Sequence, residues 1–471
     1  MIKALLLGMP DISPRLDVIM TLPNHGLASL AGNVDPSVCE VKIADLVAVR
    51  NRWQEYVLDV IKSYSPELVG ISFMTFQYRS AVLIAEIIKK YDKNIKIVIG
   101  GYHPTLMYEE ISESPDFKTI DFIIRGEGEV TFSELVFAIN AGIGYDNING
   151  LSYKSNGKFI HNPAREILDL NLIRLPNRNA RLITKGFSIF GFPADNIETS
   201  RGCTYKCKFC TINKMYGRTF RKYSIERIIT DIKDAQIYGA KYLSISDDNI
   251  TLDLQRLEDL CDEIISNKLN SMQFFLQATV EGIAHSSKLV QKMSDAGIKS
   301  VFLGIESENK NNLDFIYKKS SNPESTKKAI RNLRDNGIIA IGGFIIGLPD
   351  DDEKALWNTF KTAWKLKIDI PVFSILIPQP KSEIRDELIK QGLVVNDSNY
   401  YDYELTIANV RTKYLSSEEL QRISQKMYDS YLVNLKYIWF NQIRKLYPTY
   451  FWKTVLGQVP LVIRDLMKMG K

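Results

Sequence analysis

Three cysteines fall within eight residues, in the run Thr199-Ser200-Arg201-Gly202-Cys203-Thr204-Tyr205-Lys206-Cys207-Lys208-Phe209-Cys210. Thiolate is the preferred soft donor for iron–sulfur clusters. A C-x3-C-x2-C loop can give one thiolate to each of three irons of a four-iron cluster and leave the fourth iron open. An open iron suits a cluster that binds a substrate rather than one that only carries electrons. Zinc is the rival metal, but its structural sites take four ligands, commonly from paired C-x2-C spacings. A fourth zinc ligand here would have to come from Cys261 or from one of four scattered histidines. The iron–sulfur reading is preferred.

Further chemistry-bearing residues cluster where apolar runs end. Ser246-Asp247-Asp248-Asn249, Gly304-Ile305-Glu306-Ser307 and Gly343-Phe344-Ile345-Ile346-Gly347-Leu348-Pro349 follow such runs after the cysteines. Gly70-Ile71-Ser72-Phe73-Met74-Thr75, Gly100-Gly101-Tyr102-His103-Pro104 and Gly126-Glu127-Gly128-Glu129 do so before them. Glycine lets backbone approach a ligand closely, and carboxylates accept from ammonium or hydroxyl groups. Each of these segments read alone is as well explained by an ordinary turn.

The elements that must position these groups form two alternating series. Strand runs are expected at 3–8, 38–45, 67–73, 96–101 and 121–126, with helices such as 79–91 and 129–140 between or after them. Continuous apolar strands between amphipathic helices mean a parallel sheet covered on both faces, with ligands at the carboxyl ends of its strands. Residues 151–153 and 158–161 read as a hairpin around Ser155-Asn156-Gly157. A second series has strands at 196–199, 242–246, 273–277, 300–305, 338–347 and 371–377. Six β/α units are fewer than the eight that close a barrel, so an open, partial barrel is expected. Its first strand leads into the cysteines, which places them at the carboxyl-terminal mouth. The expected division is a doubly wound domain over 1–145, hairpin and linker over 146–190, the partial barrel over 191–400 and a helical region over 401–471.

Composition fits a globular protein with sizeable cores: 45% hydrophobic and 24% charged residues. There is no apolar run long enough to span a bilayer and no signal-peptide pattern, so a cytoplasmic location is expected. Clustered rather than dispersed cysteines agree with a reducing compartment; Cys39 and Cys261 read as packing residues. A net charge of +5 does not call for nucleic acid. The basic surplus is concentrated after Gln421, where aromatic residues alternate with Lys and Arg. That tail reads as a helical cap over the open side of the barrel, or as an interfacial helix approaching a membrane peripherally for a lipid-like substrate.

The cysteine loop, with Phe209 before its last cysteine, resembles that of the radical S-adenosylmethionine superfamily. The resemblance implies a 4Fe-4S cluster on Cys203, Cys207 and Cys210, with S-adenosylmethionine on the open iron. It places Phe209, Ser246, Asp247, Asp248, Glu306, Gly343 and Gly347 around that cosubstrate. The amino-terminal segments resemble the cobalamin-binding domains of one subgroup, which implies corrinoid contacts from Ser72, Thr75, Gly100, Gly101, Tyr102, His103, Gly126, Glu127 and Gly128. One departure stands out. Where other cobalamin proteins carry D-x-H-x-x-G after the first strand, this chain has Met9-Pro10-Asp11-Ile12-Ser13-Pro14, without a histidine in register. The implied activity is methyl transfer to an unactivated carbon through a 5′-deoxyadenosyl radical and methylcobalamin, with a flavodoxin- or ferredoxin-type donor. A cobalamin-associated radical cyclase or hydratase is the alternative, and a corrinoid- or cluster-binding sensor without turnover the reading from another class. Methylthiolation would call for further cysteines before the barrel, where only Cys39 stands.

Overall fold

The computed structural model of the 471-residue chain describes residues 1–11, 19–403, 407–432 and 440–456. In chain order its strands are β1 (Ile2–Gly8), β2 (Met20–Thr21), β3 (Cys39–Asp45), β4 (Leu68–Ser72), β5 (Lys96–Gly100), β6 (Phe122–Ile124), β7 (Leu151–Ser155), β8 (Lys158–His161), β9 (Ser188–Ile189) and β10 (Phe192–Ile197). They continue with β11 (Ser200–Arg201), β12 (Arg221–Lys222), β13 (Tyr242–Ile245), β14 (Gln273–Thr279), β15 (Ile298–Glu306), β16 (Ile339–Ile346) and β17 (Ile370–Ile375).

The first sheet runs β3-β1-β4-β5-β6-β7-β8, and its first five strands are parallel. Period-two alternation explains why those strands are apolar throughout. Leu5, Leu7, Ile71 and Ile99 face one core, while Ala4, Leu6 and Val98 face another on the opposite side. The doubly wound architecture is as expected. The expected hairpin is present and joins the first sheet: β7 pairs antiparallel with β6 and β8 with β7, so the pair extends the sheet. An unpaired β6 would leave an exposed row of backbone donors and acceptors, which this pairing removes.

The second sheet runs β17-β16-β15-β14-β13-β10-β9-β2. Strands β10 and β13 to β17 are six consecutive parallel neighbours, the expected curled, open barrel. Ser224, Asp253, Ser286, Asn322 and Asp352 each accept from a backbone N–H in the first turn of the helix that follows, which sets where each return helix begins. Short β2, from the amino-terminal part of the chain, pairs through β9 with this sheet, so the two units share a boundary strand. Below it the fully buried Arg178 ties the linker to the barrel, with Nε 2.9 Å from Asp195 and Nη1 2.6 Å from Asp231 and 2.7 Å from Asp234.

The described part of the tail packs inward. Helix Ser417–Leu432 covers edge strand β17, where the Phe373 N–H donates to the Tyr428 hydroxyl at 2.6 Å and Tyr431 donates to the Ile368 carbonyl at 2.6 Å. Beyond it Gln442, Tyr447 and Phe451 plug the amino-terminal ends of the barrel strands, with Gln442 Nε2 bonding the Ile338 carbonyl at 2.6 Å. The described tail thus covers the edge strand and the amino-terminal ends of the barrel strands, and Leu420 reaches Gly347 at the carboxyl end of β16. Residues 433–439 and 457–471 of the tail, and 12–14 of the segment where a cobalt-binding histidine was sought, lie outside the described residues. Among the described residues no helix is long and apolar enough to cross a membrane.

Candidate active site

The cysteine loop leaves β10 and is pinned at its root. The buried Asp247 carboxylate accepts from Thr199 N at 2.6 Å, from the Thr199 hydroxyl and from Ser200 Oγ at 2.6 Å. Asp248 accepts from Gly202 N at 2.8 Å. Both carboxylates stand at the end of β13, so the second barrel strand holds the backbone that introduces Cys203. Gly202 adopts φ +89°, and a β-carbon there would fall 2.4 Å from the Thr219 carbonyl, so only glycine fits.

All three thiols are partly exposed at the barrel mouth. Burial raises the affinity of each for its proton, most for Cys210, whose pKa is pushed up to about 12. A metal that binds them must displace those protons and compensate for the burial. Lys318 helps: its ammonium acts on Cys207 and Cys210 and pairs with Glu306 at 2.8 Å. Burial opposes its charge, but Glu306 and Cys207 outweigh that and raise its pKa. Glu306 reaches this place through a register shift after Gly304 and a left-handed backbone, φ +64°. Gly304 leaves room beneath the pair, since a β-carbon there would lie 2.6 Å from Glu306 Oε1 and 2.8 Å from Lys318 Nζ and would displace them.

A cavity of about 470 Å³ lies between the two sheets' carboxyl ends. The first sheet supplies Ser72, Gly100, Gly101, Tyr102, Gly126, Glu127 and Gly128 to its wall, and the barrel supplies Glu198, Tyr216, Ser246 and Asp248. Leu6, Ile71, Val98 and Ile124 form an apolar floor, and helix His25–Asn33 borders it. Burial lifts Asp248 to about 6, with the Gly202 N–H pulling the other way. Tyr102 and Tyr216 meet edge to face across the boundary, with ring centres 6.3 Å apart.

The B12 binding domain profile matches residues 17–136 and the Radical SAM superfamily profile matches 197–363. An uncharacterized methyltransferase of Pyrococcus horikoshii, PH0819, is 32% identical over 438 residues, which cover 92% of this chain and 93% of that protein. The chain is a cobalamin-binding radical S-adenosylmethionine enzyme. Within this family, the anaerobic magnesium-protoporphyrin IX monomethyl ester cyclase of Rubrivivax gelatinosus is 27% identical over 71% of this chain and 60% of its own length. Among solved structures, the cobalamin-dependent S-adenosylmethionine radical enzyme OxsB, with aqua-cobalamin and S-adenosylmethionine bound, superposes with a TM-score of 0.69 at 17% identity, covering 100% of this chain and 75% of that one. At that identity the likeness speaks for the fold alone.

The residues fit the cofactors this radical enzyme family uses. A cubane offers its irons at separate corners, so spaced thiolates on one loop suit it. Asn249, buried beside that loop, places its side chain in hydrogen-bond reach of the Cys203 thiol, where it favours the thiolate that a metal needs. On the first sheet's side of the cavity, Gly126 has φ +76° and open space where a β-carbon would stand.

The other residues singled out from sequence take varied places. Phe209 packs against the barrel core beside the cysteines. Gly343 and Gly347 answer to protein packing: a β-carbon would lie 2.5 Å from the Phe302 ring in one case and 2.6 Å from Leu420 in the other. Thr75 and His103 sit outside the cavity wall and bond each other at 3.1 Å. His103 is fully buried among Phe73, Tyr78 and Tyr400, and burial holds its pKa down to about 3. Sequence reasoning passed over Lys318, Tyr216, Glu198 and the ion-pairing role of Arg201. Of these only Arg201 carried a signal, as a charged residue two positions before the first cysteine.

Proposed function

We propose that this enzyme transfers a methyl group to an unactivated carbon of a small or lipid-like molecule. The observation that carries the reading is the shared cavity, in which the glycine-rich ends of β4, β5 and β6 face Ser246 and Asp248 at the root of the cysteine loop. When bound, the cluster with S-adenosylmethionine supplies a carbon-centred radical and the corrinoid supplies a methyl group. The chain's own part is to hold these groups and keep water out. Cys203, Cys207 and Cys210 hold the cluster, and Lys318 offsets the negative charge gathered there. Phe209, Ser246, Asp248, Asn249 and Glu306 are the residues proposed to line S-adenosylmethionine. Asp247, Gly343 and Gly347 serve the same site indirectly by fixing its walls. Ser72, Gly100, Gly101, Tyr102, Gly126, Glu127 and Gly128 are proposed to border the corrinoid, with Thr75 and His103 bracing the loop behind them. Electrons would come from a flavodoxin- or ferredoxin-type protein.

The relative named as a methyltransferase supports this reading, and the cyclase relative supports radical chemistry without methyl transfer as the second. Anaerobic protein reconstituted with iron, sulfide and hydroxocobalamin, then reduced and given methyl-labelled S-adenosylmethionine, separates them. Methyl transfer expects label on the protein-bound corrinoid as well as 5′-deoxyadenosine. Formation of 5′-deoxyadenosine with no label on the corrinoid favours the cyclase-type reading. Absence of both leaves a binding protein without turnover.

A further inference from the structure

Two arginines on one short ribbon grip the corrinoid side of the molecule. β11 and β12 pair antiparallel, with Arg201 opposite Arg221. Arg201 uses its whole guanidinium fork: Nε to Glu198 at 2.8 Å, Nη1 to Glu127 at 2.8 Å and Nη2 to Glu129 at 2.6 Å. Its side chain is 6% exposed, as is that of Glu127. Arg221 adds two bonds to Glu127 at 3.0 Å, and Ser29 donates to Glu129 at 2.8 Å. Glu127 ends the glycine-rich loop after β6 and Glu129 lies in the first turn of the helix that follows, Gly128–Ala141, and Arg201 stands two residues before Cys203. Thr199, Ser200 and Gly202 are meanwhile bound to Asp247 and Asp248. Four successive residues thus fasten the cysteine loop, three to the barrel and one to the other domain.

We infer that Arg201 is a positioning residue that sets the separation between the cluster and the corrinoid. This rests on the cofactor assignment above. A buried ion network is weak as a source of stability, because desolvation offsets much of the Coulomb gain. What a planar, five-donor fork provides is direction, and lysine has no equivalent. With three carboxylates from two domains converging on one guanidinium, neither loop can shift without breaking a charge-assisted bond.

The test uses the full chain loaded anaerobically with iron, sulfide and hydroxocobalamin and reduced so that the cluster and the cobalt each carry one unpaired electron. Pulsed paramagnetic resonance then reads the separation of the two spins. Wild type is expected to give one narrow distribution. Arg201→Lys is expected to keep both cofactors in full amount but to broaden that distribution and move its mean. A merely structural ion pair would lower the unfolding midpoint and leave the distribution as it was; that result overturns the proposal. Should Arg201→Lys fail to fold or load, Glu129→Gln, which removes one of the three carboxylates, is read by the same criterion. Wild type that takes up cluster but no corrinoid overturns the cofactor assignment and this inference together, whereas normal loading with an unchanged separation overturns this inference alone.

Discussion

Replacing Gly126 by alanine separates ligand approach from backbone strain, because the fold contains a matched control. Gly126 has φ +76° and Gly142, which ends helix Gly128–Ala141, has φ +65°. A β-carbon built at either position meets nothing within 4 Å. Alanine at each therefore incurs only the left-handed backbone, about 1–2 kcal/mol. Gly126 alone borders the interdomain cavity. A methyl forced into a slot filled by ligand costs about 1–3 kcal/mol, equivalent to about 5- to 150-fold in affinity. Gly126→Ala and Gly142→Ala should then shift the urea midpoint of the cofactor-free protein by similar amounts. Only Gly126→Ala should weaken hydroxocobalamin binding, followed by absorbance titration, by at least about fivefold. Iron per chain should stay at the wild-type level in both. Equal corrinoid affinity in the two variants, or parallel loss of iron and corrinoid in Gly126→Ala, would refute the claim that this glycine makes room for a ligand.

Other sites give outcomes of different kinds. Alanine at Cys203, Cys207 or Cys210 should each remove most cluster iron and abolish 5′-deoxyadenosine formation while hydroxocobalamin still binds; retention of full iron after all three changes would end the cluster assignment. Arg178→Met strands the buried Asp231 and should cost about 3–5 kcal/mol, with Asp195 still held by Arg181 at 2.7 Å. Adding Asp231→Asn should recover part of that loss in urea unfolding, and no recovery would show that the unpaired charge is not its cause. Asp45 is buried, and burial raises its pKa from 3.8 to about 6 against the opposing Asn24 N–H and Arg181, with Asp195 adding to the rise. The folded chain thus binds that proton more tightly than the unfolded one. Stability falls as pH rises from 3.8 to about 6, in all by about 3 kcal/mol at roughly 1.36 kcal/mol per pKa unit. Asp45→Asn, which keeps an acceptor for Asn24, should gain over wild type above that window and lose its advantage below it; a pH-independent difference in melting temperature would contradict the assignment.

Period and spacing are local properties, which is why so much was readable in advance. Five parallel strands before the linker and six in the barrel lie where their apolar runs predict, because strands buried on both faces need such runs whatever surrounds them. The cysteines were readable for the same reason, since one loop supplies all three. Glycine was harder to interpret. Gly126, just after β6, and Gly343, inside β16, both stand in glycine-bearing segments, yet one opens on a cavity and the other makes room for the Phe302 ring. Which of these a glycine does depends on what another strand places opposite it. Thr75 and His103 show the same limit: the segment after β4 touches the cavity through Ser72 and Met74 and that after β5 through Gly101 and Tyr102, while Thr75 and His103 bond each other beside an aromatic core.

Charge pairing across a domain boundary leaves no periodic trace at all. Arg201 lies 74 residues from Glu127 and 72 from Glu129. On the proposed assignment, such groups are the ones that relate one cofactor site to the other. Backbone patterns can build each sheet separately, but the distance between a cluster on one and a corrinoid on the other must be held by side chains that bridge them. Buried, directional, charge-assisted bonds hold such a distance better than an apolar contact, which can slide with little loss of contact area. The interface between the two sheets is therefore where carboxylates and guanidinium groups concentrate, and where substitutions should alter the coupling of the two cofactors before they alter the fold.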